Sequence, residues 1–229
     1  TGEVVSGQSN VPQGFEHYIL KYDDNTSFPF AAIEYIYYLM ALDAGITMMP
    51  SELRSYGDMT HFLTRRFDRV GNERVHTQTL AAMSPGSDSY EDLFAVIRRL
   101  NLPYDDSRQQ YLRMVFNVMT RNVDDHNKNF SFCMTPDGIW RLSPAYDLIF
   151  SVDLSAPAYI NRHSLTINGK NQDITLKDLE IFAQQNDIQD YKHLIVSVSN
   201  AMSKFSAYAK AFGINQQLID TIEGDFVKF

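Results

Sequence analysis

The spacing of apolar residues predicts two strands and a helix in the first third of the chain. Residues 17–22, HYILKY, are bulky and apolar in the manner of a strand, and residues 61–67, HFLTRRF, predict a second strand. Between them, apolar side chains recur at helical spacing over residues 31–44. Gly45 follows at the position where a glycine commonly ends a helix.

From residue 71 onward the pattern is mainly helical, with one hairpin. The hairpin pairs residues 130–134 with 139–142 across the turn sequence Thr-Pro-Asp-Gly. Asp105 or Asp106 is expected to cap the helix that follows it, which carries an apolar stripe between Leu112 and Met119. The other predicted helices are 90–100, 176–186, 190–211 and 215–227.

These elements indicate an α+β protein with two parts. Residues 1–70 would form a small lobe bearing a sheet, and residues 71–229 a larger, mostly helical lobe. Residues 149–163 have few helix signals and contain several Ser, Ala and Pro residues, so they predict either an activation-type loop or a substrate-facing loop.

The most informative polar cluster is the run VDDHNKN at 123–129. Asp124 precedes Asn129 by five residues, and Asp147 follows after the hairpin. This spacing is typical of a protein-kinase catalytic loop, in which the Asp takes the hydroxyl proton and the Asn and a later Asp hold magnesium. Mg²⁺ prefers hard oxygen ligands, so one amide, one carboxylate and substrate phosphates suffice.

Two earlier residues allow two interpretations each. Lys21 on the first strand could face solvent, or it could pair with nucleotide phosphates. Glu34 in the helix could be favoured by the helix dipole, or it could form an ion pair that fixes Lys21.

Composition narrows the class of protein. The chain has 229 residues and a net charge of -8, which argues against direct nucleic-acid binding. The single cysteine, Cys133, excludes an internal disulfide framework. No apolar run approaches the roughly 18 residues that span a bilayer. The five histidines outside the polar run have no metal-ligand spacing, so no zinc site is predicted.

The chain begins with Thr, and we expect a fragment of a longer protein.

Several motifs together give the chain a family resemblance. The strongest are VDDHNKNFS at 123–131 and LSPAYD at 142–147, joined by RRFDR at 65–69 and HTQTL at 76–80. The chain resembles the HipA family of bacterial toxin kinases. It lacks the HRD and DFG motifs of generic kinases: Arg-Asn-Val precedes Asp124, and Tyr-Asp-Leu at 146–148 replaces DFG.

The resemblance implies a two-lobed, protein-kinase-like fold and ATP- and Mg²⁺-dependent phosphorylation of Ser or Thr in a protein. In characterised members that protein is an aminoacyl-tRNA synthetase, and translation stalls. It also implies an antitoxin partner of DNA-binding type, DNA contact only through that partner, and a cytoplasmic location. The roles it implies are the catalytic base for Asp124, magnesium ligation for Asn129 and Asp147, and cofactor contacts for Lys21, Glu34, Arg65, Phe67, His126 and Tyr146.

One departure from the family keeps other functions open. The family's phosphate-binding loop, which carries its autophosphorylated serine, precedes the Lys21 strand. Residues 6–8, Ser-Gly-Gln, resemble it only superficially, and the Pro-Gln-Gly at 12–14 suits a connecting hairpin better. We therefore expect this loop to be either missing from the chain or not ordered. The alternatives are a small-molecule phosphotransferase and a catalytically impaired kinase-like module that binds an antitoxin.

Overall fold

A computed structural model describes residues 5, 11–23, 28–157 and 160–229 of the chain. The short sequence at residues 6–8 therefore lies outside the described part. The strands are β1 (Tyr18–Lys21), β2 (Ser51–Tyr56), β3 (Met59–Arg65), β4 (Arg69–Val70), β5 (Glu73–Arg74), β6 (His76–Thr79), β7 (Ser131–Met134) and β8 (Trp140–Leu142). The helices are α1 (Phe30–Ala44), α2 (Leu80–Met83), α3 (Tyr90–Arg99), α4 (Tyr104–Thr120), α5 (Leu176–Gln185), α6 (Tyr191–Met202), α7 (Phe205–Ala211) and α8 (Gln216–Asp225).

The first sheet is antiparallel, with β3 between β1 and β2. Lys21 lies opposite Phe62 in this register, so the lysine and a buried phenylalanine share one end of the sheet. The sequence predicted β1 and β3 but not β2. Strand β2 reads SELRSY and forms an edge of the sheet, where polar side chains are tolerated and the alternating apolar signal is weak.

Helix α1 joins the first sheet to the helical part. It packs against β2 and β3 and also against α6 and α7, and its buried side chains belong to one continuous apolar core. Asp23, from outside the helix, accepts a hydrogen bond from the backbone of Ala31 at 2.7 Å. Gly45 ends the helix in the left-handed conformation, as predicted, and its N–H bonds the carbonyls of the last turn.

Helix α4 begins at Tyr104, two residues before the first position that a cap at Asp105 would allow. Pro103 occupies the N-cap position and provides no side-chain cap, so the prediction that Asp105 or Asp106 caps this helix is wrong. Both lie inside the first turn, where a carboxylate is past the capping position. Asp106 instead binds the second sheet, formed by β6, β7 and β8: it accepts two hydrogen bonds from Arg141 and one from the backbone of Leu142.

The predicted continuous helix over 190–211 is also wrong, because it breaks between α6 and α7. Helix α6 ends at Met202. Ser203, which follows it, donates a hydrogen bond from its Oγ to the carbonyl oxygen of Asn200 at 2.7 Å. The break lets Phe205 pack edge-on against Phe226 and near Tyr37, in full burial. In the described part of the chain, no helix is both long enough and apolar enough to span a membrane. The expected division near residue 70 stays a prediction.

Candidate active site

A cleft of about 270 Å³ opens between the first sheet and the chain that follows β8. Its walls are largely apolar, as a flat aromatic ligand requires. Predicted hinge residues Arg65 and Phe67 both line it, and Arg65 also pairs with Glu16 at 2.8 Å. The apolar lining residues are Ile19, Met48, Met49, Phe62, Phe67, Ala145 and Leu148.

At one end of the cleft, Lys21 is held by two carboxylates. Its Nζ lies 2.6 Å from Glu34 Oε1 and is also hydrogen-bonded to Asp147. The predicted Lys21–Glu34 ion pair is therefore confirmed. Glu34 lies beyond the first turn of α1, where the helix dipole has little effect on a carboxylate. The ion pair with Lys21 therefore explains this residue, and the helix dipole does not. One lysine thus links β1, α1 and the segment after β8.

Burial and neighbouring charges have opposite effects on the pKa values of Lys21 and Glu34. Burial raises the pKa of Glu34 from 4.5 to about 7, although Lys21 acts to lower it. Burial also acts to lower the pKa of Lys21, but the carboxylates of Glu34 and Asp147 outweigh it, so that pKa lies above its ordinary value. The lysine is a fixed cation at neutral pH, while Glu34 titrates near neutrality.

The polar run at 123–129 forms a tightly bonded loop. Asn129 Nδ2 donates to the carbonyl oxygen of Asp124 at 2.9 Å, and the N–H groups of Val123 and Asp124 both donate to Ser151 Oγ. The carboxylate of Asp124 itself remains 61% exposed, with His126 Nε2 3.9 Å away. The backbone is fixed while the carboxylate stays accessible, which suits a group that accepts a proton from a bound hydroxyl.

Asn129 and Asp147 line one small cavity beside the cleft. Asn129 uses its Nδ2 on the loop backbone, so this bond leaves the amide oxygen Oδ1 as the group that can act as a metal ligand. Asp147 has a left-handed backbone conformation with φ of 59°. No group of three or more His, Cys, Asp or Glu gathers at metal-binding distance in the described ranges. One carboxylate and one amide oxygen nevertheless fit magnesium that is also held by phosphates and water.

Tyr146 connects the cleft to the loop. Its hydroxyl donates to the carbonyl of Lys128 at 2.7 Å and lies 2.5 Å from Ser131 Oγ, while its ring stacks on Phe67 with centroids 5.6 Å apart. Burial raises the pKa of its hydroxyl to about 12, so it stays protonated. Tyr146 therefore lines the cleft, as the sequence suggested, and also holds the polar run to β7.

Sequence reasoning missed the residues that anchor this loop. Asp125 is buried and accepts hydrogen bonds from Tyr90 and His163, two residues that lie far from it in the chain. Adjacent aspartates look alike in a sequence, and His163 has no metal-ligand spacing to another histidine that would single it out. The one sequence feature that points to a role for Asp125 is its position next to the candidate catalytic residue Asp124.

Similarity to solved structures establishes the fold. The Shewanella oneidensis HipA of a complex with HipB and operator DNA matches with a TM-score of 0.66 and 20% identity, over 90% of this chain and 55% of that one. The Helicobacter pylori proinflammatory kinase CtkA matches with a TM-score of 0.56 and 12% identity, over 86% of this chain and 90% of that one. The predicted α+β, two-lobed, protein-kinase-like fold is thus confirmed.

Sequence relatives agree with the structural match. The serine/threonine-protein kinase toxin HipA of Shewanella oneidensis is 38% identical over 66 residues, which are 29% of this chain and 15% of that protein. The matches to curated relatives cover at most 30% of the relatives' length. The model of the HipA-like C-terminal domain family matches residues 4–222. The chain belongs to the HipA-like C-terminal domain family.

Proposed function

We propose that this chain carries the catalytic site of an ATP- and Mg²⁺-dependent protein serine/threonine kinase. One arrangement supports the proposal above all others. The exposed carboxylate of Asp124 lies in the same bonded loop as Asn129, and Asn129 shares a cavity with Asp147, which in turn binds Lys21. Phosphoryl transfer needs a proton acceptor, oxygen ligands for magnesium and a cation for the phosphates. Here Asp124 and Asn129 share one loop, and Asp147 and Lys21 lie at one end of the apolar cleft.

Each part of the cleft has a distinct task in this proposal. The apolar walls and Phe67 would hold the adenine ring, with the backbone at Arg65 on its edge. Lys21, positioned by Glu34, would bind phosphate oxygens, and His126 would lie near them. Asn129 and Asp147 would hold magnesium. When bound, Mg-ATP supplies the phosphoryl group and the metal charge that neutralises its oxygens.

Asp124 performs the proton transfer. Its carboxylate accepts the proton of a serine or threonine hydroxyl as that oxygen bonds to the γ-phosphorus and the bond to ADP breaks. The hydrogen bond from Asn129 and those to Ser151 keep the loop from moving during the step. A base on a backbone fixed in this way stays close to the bound hydroxyl, and this proximity contributes to the rate of transfer.

The family membership supports a role as the toxin of a toxin–antitoxin system. We propose an aminoacyl-tRNA synthetase as the protein substrate, inhibition of translation as the result, and the cytoplasm as the place of action. Because the HipA match comes from a complex with HipB and operator DNA, we also propose a DNA-binding antitoxin as partner. The net charge of -8 agrees with DNA contact through that partner alone.

Transfer of labelled γ-phosphate tests the proposal. Full-length protein, Mg²⁺ and labelled ATP are incubated with a panel of aminoacyl-tRNA synthetases, and label on each protein is measured, including label on the kinase itself. We expect Asp124→Asn to reduce transfer by about 100-fold or more, since general base catalysis contributes roughly that much. Asp137→Asn, a matched change in the exposed β7–β8 turn, should transfer like wild type.

Two outcomes would contradict the proposal. Undiminished transfer by Asp124→Asn would remove the catalytic base from the mechanism. When a mixture of small metabolites is added to the same assay, label on a metabolite and on no protein would instead identify a small-molecule phosphotransferase.

A further inference from the structure

Three hydrogen-bond donors from different parts of the chain converge on the carboxylate of Asp125. Tyr90 Oη donates to Oδ2 at 2.7 Å, His163 Nδ1 donates to the same oxygen at 2.9 Å, and the backbone N–H of Ser164 donates to Oδ1 at 2.7 Å. The side chains of Asp125 and His163 are 0% and 2% exposed. A buried carboxylate with three donors is fully compensated, whereas one that loses a donor is left partly unpaired.

The bonding continues from this carboxylate to the loop backbone. Tyr90 Oη accepts from Asn117, whose Oδ1 accepts from Asn122, each at 3.0 Å. Asn122 Oδ1 accepts from Ser151 Oγ, and Ser151 Oγ accepts the N–H of Asp124 at 3.0 Å. An uninterrupted series of side chains thus runs from the buried carboxylate to the backbone of the exposed one.

Two attachments consequently join the described residues 151–157 and 160–164 to the loop. Ser151 holds one end at the N–H groups of the loop, and His163 with Ser164 holds the other at Asp125. Between these ends, Leu154 and Ile160 are 49% and 57% exposed. Both attachments are made to the stretch that carries Asp124.

We propose that Asp125 and His163 form a latch that holds residues 160–164 on the catalytic loop and thereby positions Asp124 for phosphoryl transfer. The inference rests on the function proposed above. It gives the two adjacent aspartates different tasks: Asp124 faces outward for chemistry, and Asp125 faces inward as a positioning residue. The side chain of Asp124 is 61% exposed whereas that of Asp125 is fully buried, so fixing Asp125 also restricts the loop backbone that carries Asp124.

Two substitutions at His163 separate hydrogen bonding from bulk. His163→Asn keeps an N–H donor near the place of Nδ1, whereas His163→Leu keeps volume but no donor. For each full-length variant, amide hydrogen exchange is followed at residues 123–125 and 160–164, together with kcat and the KM for ATP. Amides on the buried face of helix α6, at Leu194, Ile195 and Val198, serve as an internal control for the fold.

The latch predicts a specific pattern. In His163→Leu, exchange at the latch should become about 10-fold faster or more and kcat should fall about 10-fold, as expected for a lost bond to a buried charge. The KM for ATP should change by less than about 2-fold, because the nucleotide cleft does not include His163. His163→Asn should recover most of both losses.

The latch is overturned if His163→Leu exchanges and reacts like wild type, or if His163→Asn behaves like His163→Leu. A rise in the KM for ATP with unchanged kcat would also overturn it. If the wild-type protein transfers no phosphate, the proposed function fails, and the exchange comparison alone then accepts or rejects the latch.

Discussion

The buried carboxylate of Glu34 makes the cleft sensitive to pH near neutrality. Its pKa is about 7 in the folded protein against 4.5 as the ordinary value. A raised pKa means that the folded state favours the protonated form, so this stabilisation is complete below about pH 4.5 and is lost as pH rises through 7. The Lys21–Glu34 ion pair strengthens over the same interval.

Substituting Glu34→Gln should remove this dependence. Relative to the variant, the unfolding free energy of wild type should fall by up to about 3 kcal/mol between pH 4.5 and 8, since one pKa unit corresponds to about 1.4 kcal/mol. Urea unfolding at several pH values measures the difference. Glu73→Gln, at an exposed carboxylate, serves as the control and should follow wild type. A wild-type minus Glu34→Gln difference that stays constant, or grows with pH, would contradict the assignment.

At the scale of elements, Asp106 attaches helix α4 to the hairpin of β7 and β8. It accepts from Arg141 Nε at 2.9 Å and Nη2 at 3.0 Å, and from the backbone of Leu142 at 3.1 Å. The side chain of Asp106 is 9% exposed and that of Arg141 is 52% exposed. The free energy of these bonds therefore depends mainly on keeping the buried carboxylate of Asp106 hydrogen-bonded.

Asp106→Asn should lower the unfolding free energy by about 2 kcal/mol, because an amide cannot accept all three bonds. Chemical denaturation measures this loss. The neighbouring Asp105 is exposed, and Asp105→Asn should change stability by less than about 0.5 kcal/mol. Equal losses at the two aspartates would show that the contacts of Asp106 add nothing.

The elements that could be predicted are those whose signal is local. Helix α1 has regular apolar spacing and a terminal glycine, and the hairpin has a diagnostic turn. The break between α6 and α7 had no such signal, since Ser203 and Lys204 are ordinary helix residues and the burial of Phe205 decides the geometry.

The candidate site likewise contains residues that a sequence pattern can predict and contacts that only the fold reveals. The spacing of Asp124, Asn129 and Asp147 is local enough to be read from the sequence. The Asp125–His163 contact joins residues 38 positions apart and becomes visible only when the fold brings them together.

At the scale of the whole molecule, the cleft depends on contacts between the sheet and the helical part. Lys21 on β1 reaches Asp147 in the segment after β8, and Phe67 stacks on Tyr146. A nucleotide bound there would touch both sides at once. Ligand that binds only the folded protein stabilises it by mass action, so Mg-ATP should raise the melting temperature.

The central claim, that Asn129 and Asp147 complete a magnesium–nucleotide site, is tested most directly by calorimetric titration of the full-length protein with ATP, with and without Mg²⁺. The account predicts that wild type and Asp137→Asn bind ATP about 10-fold more tightly or better with Mg²⁺, and that Asp147→Asn loses this gain, because the metal needs the carboxylate as a hard ligand. If Asp147→Asn binds Mg-ATP as wild type does, the metal site lies elsewhere and the account is wrong.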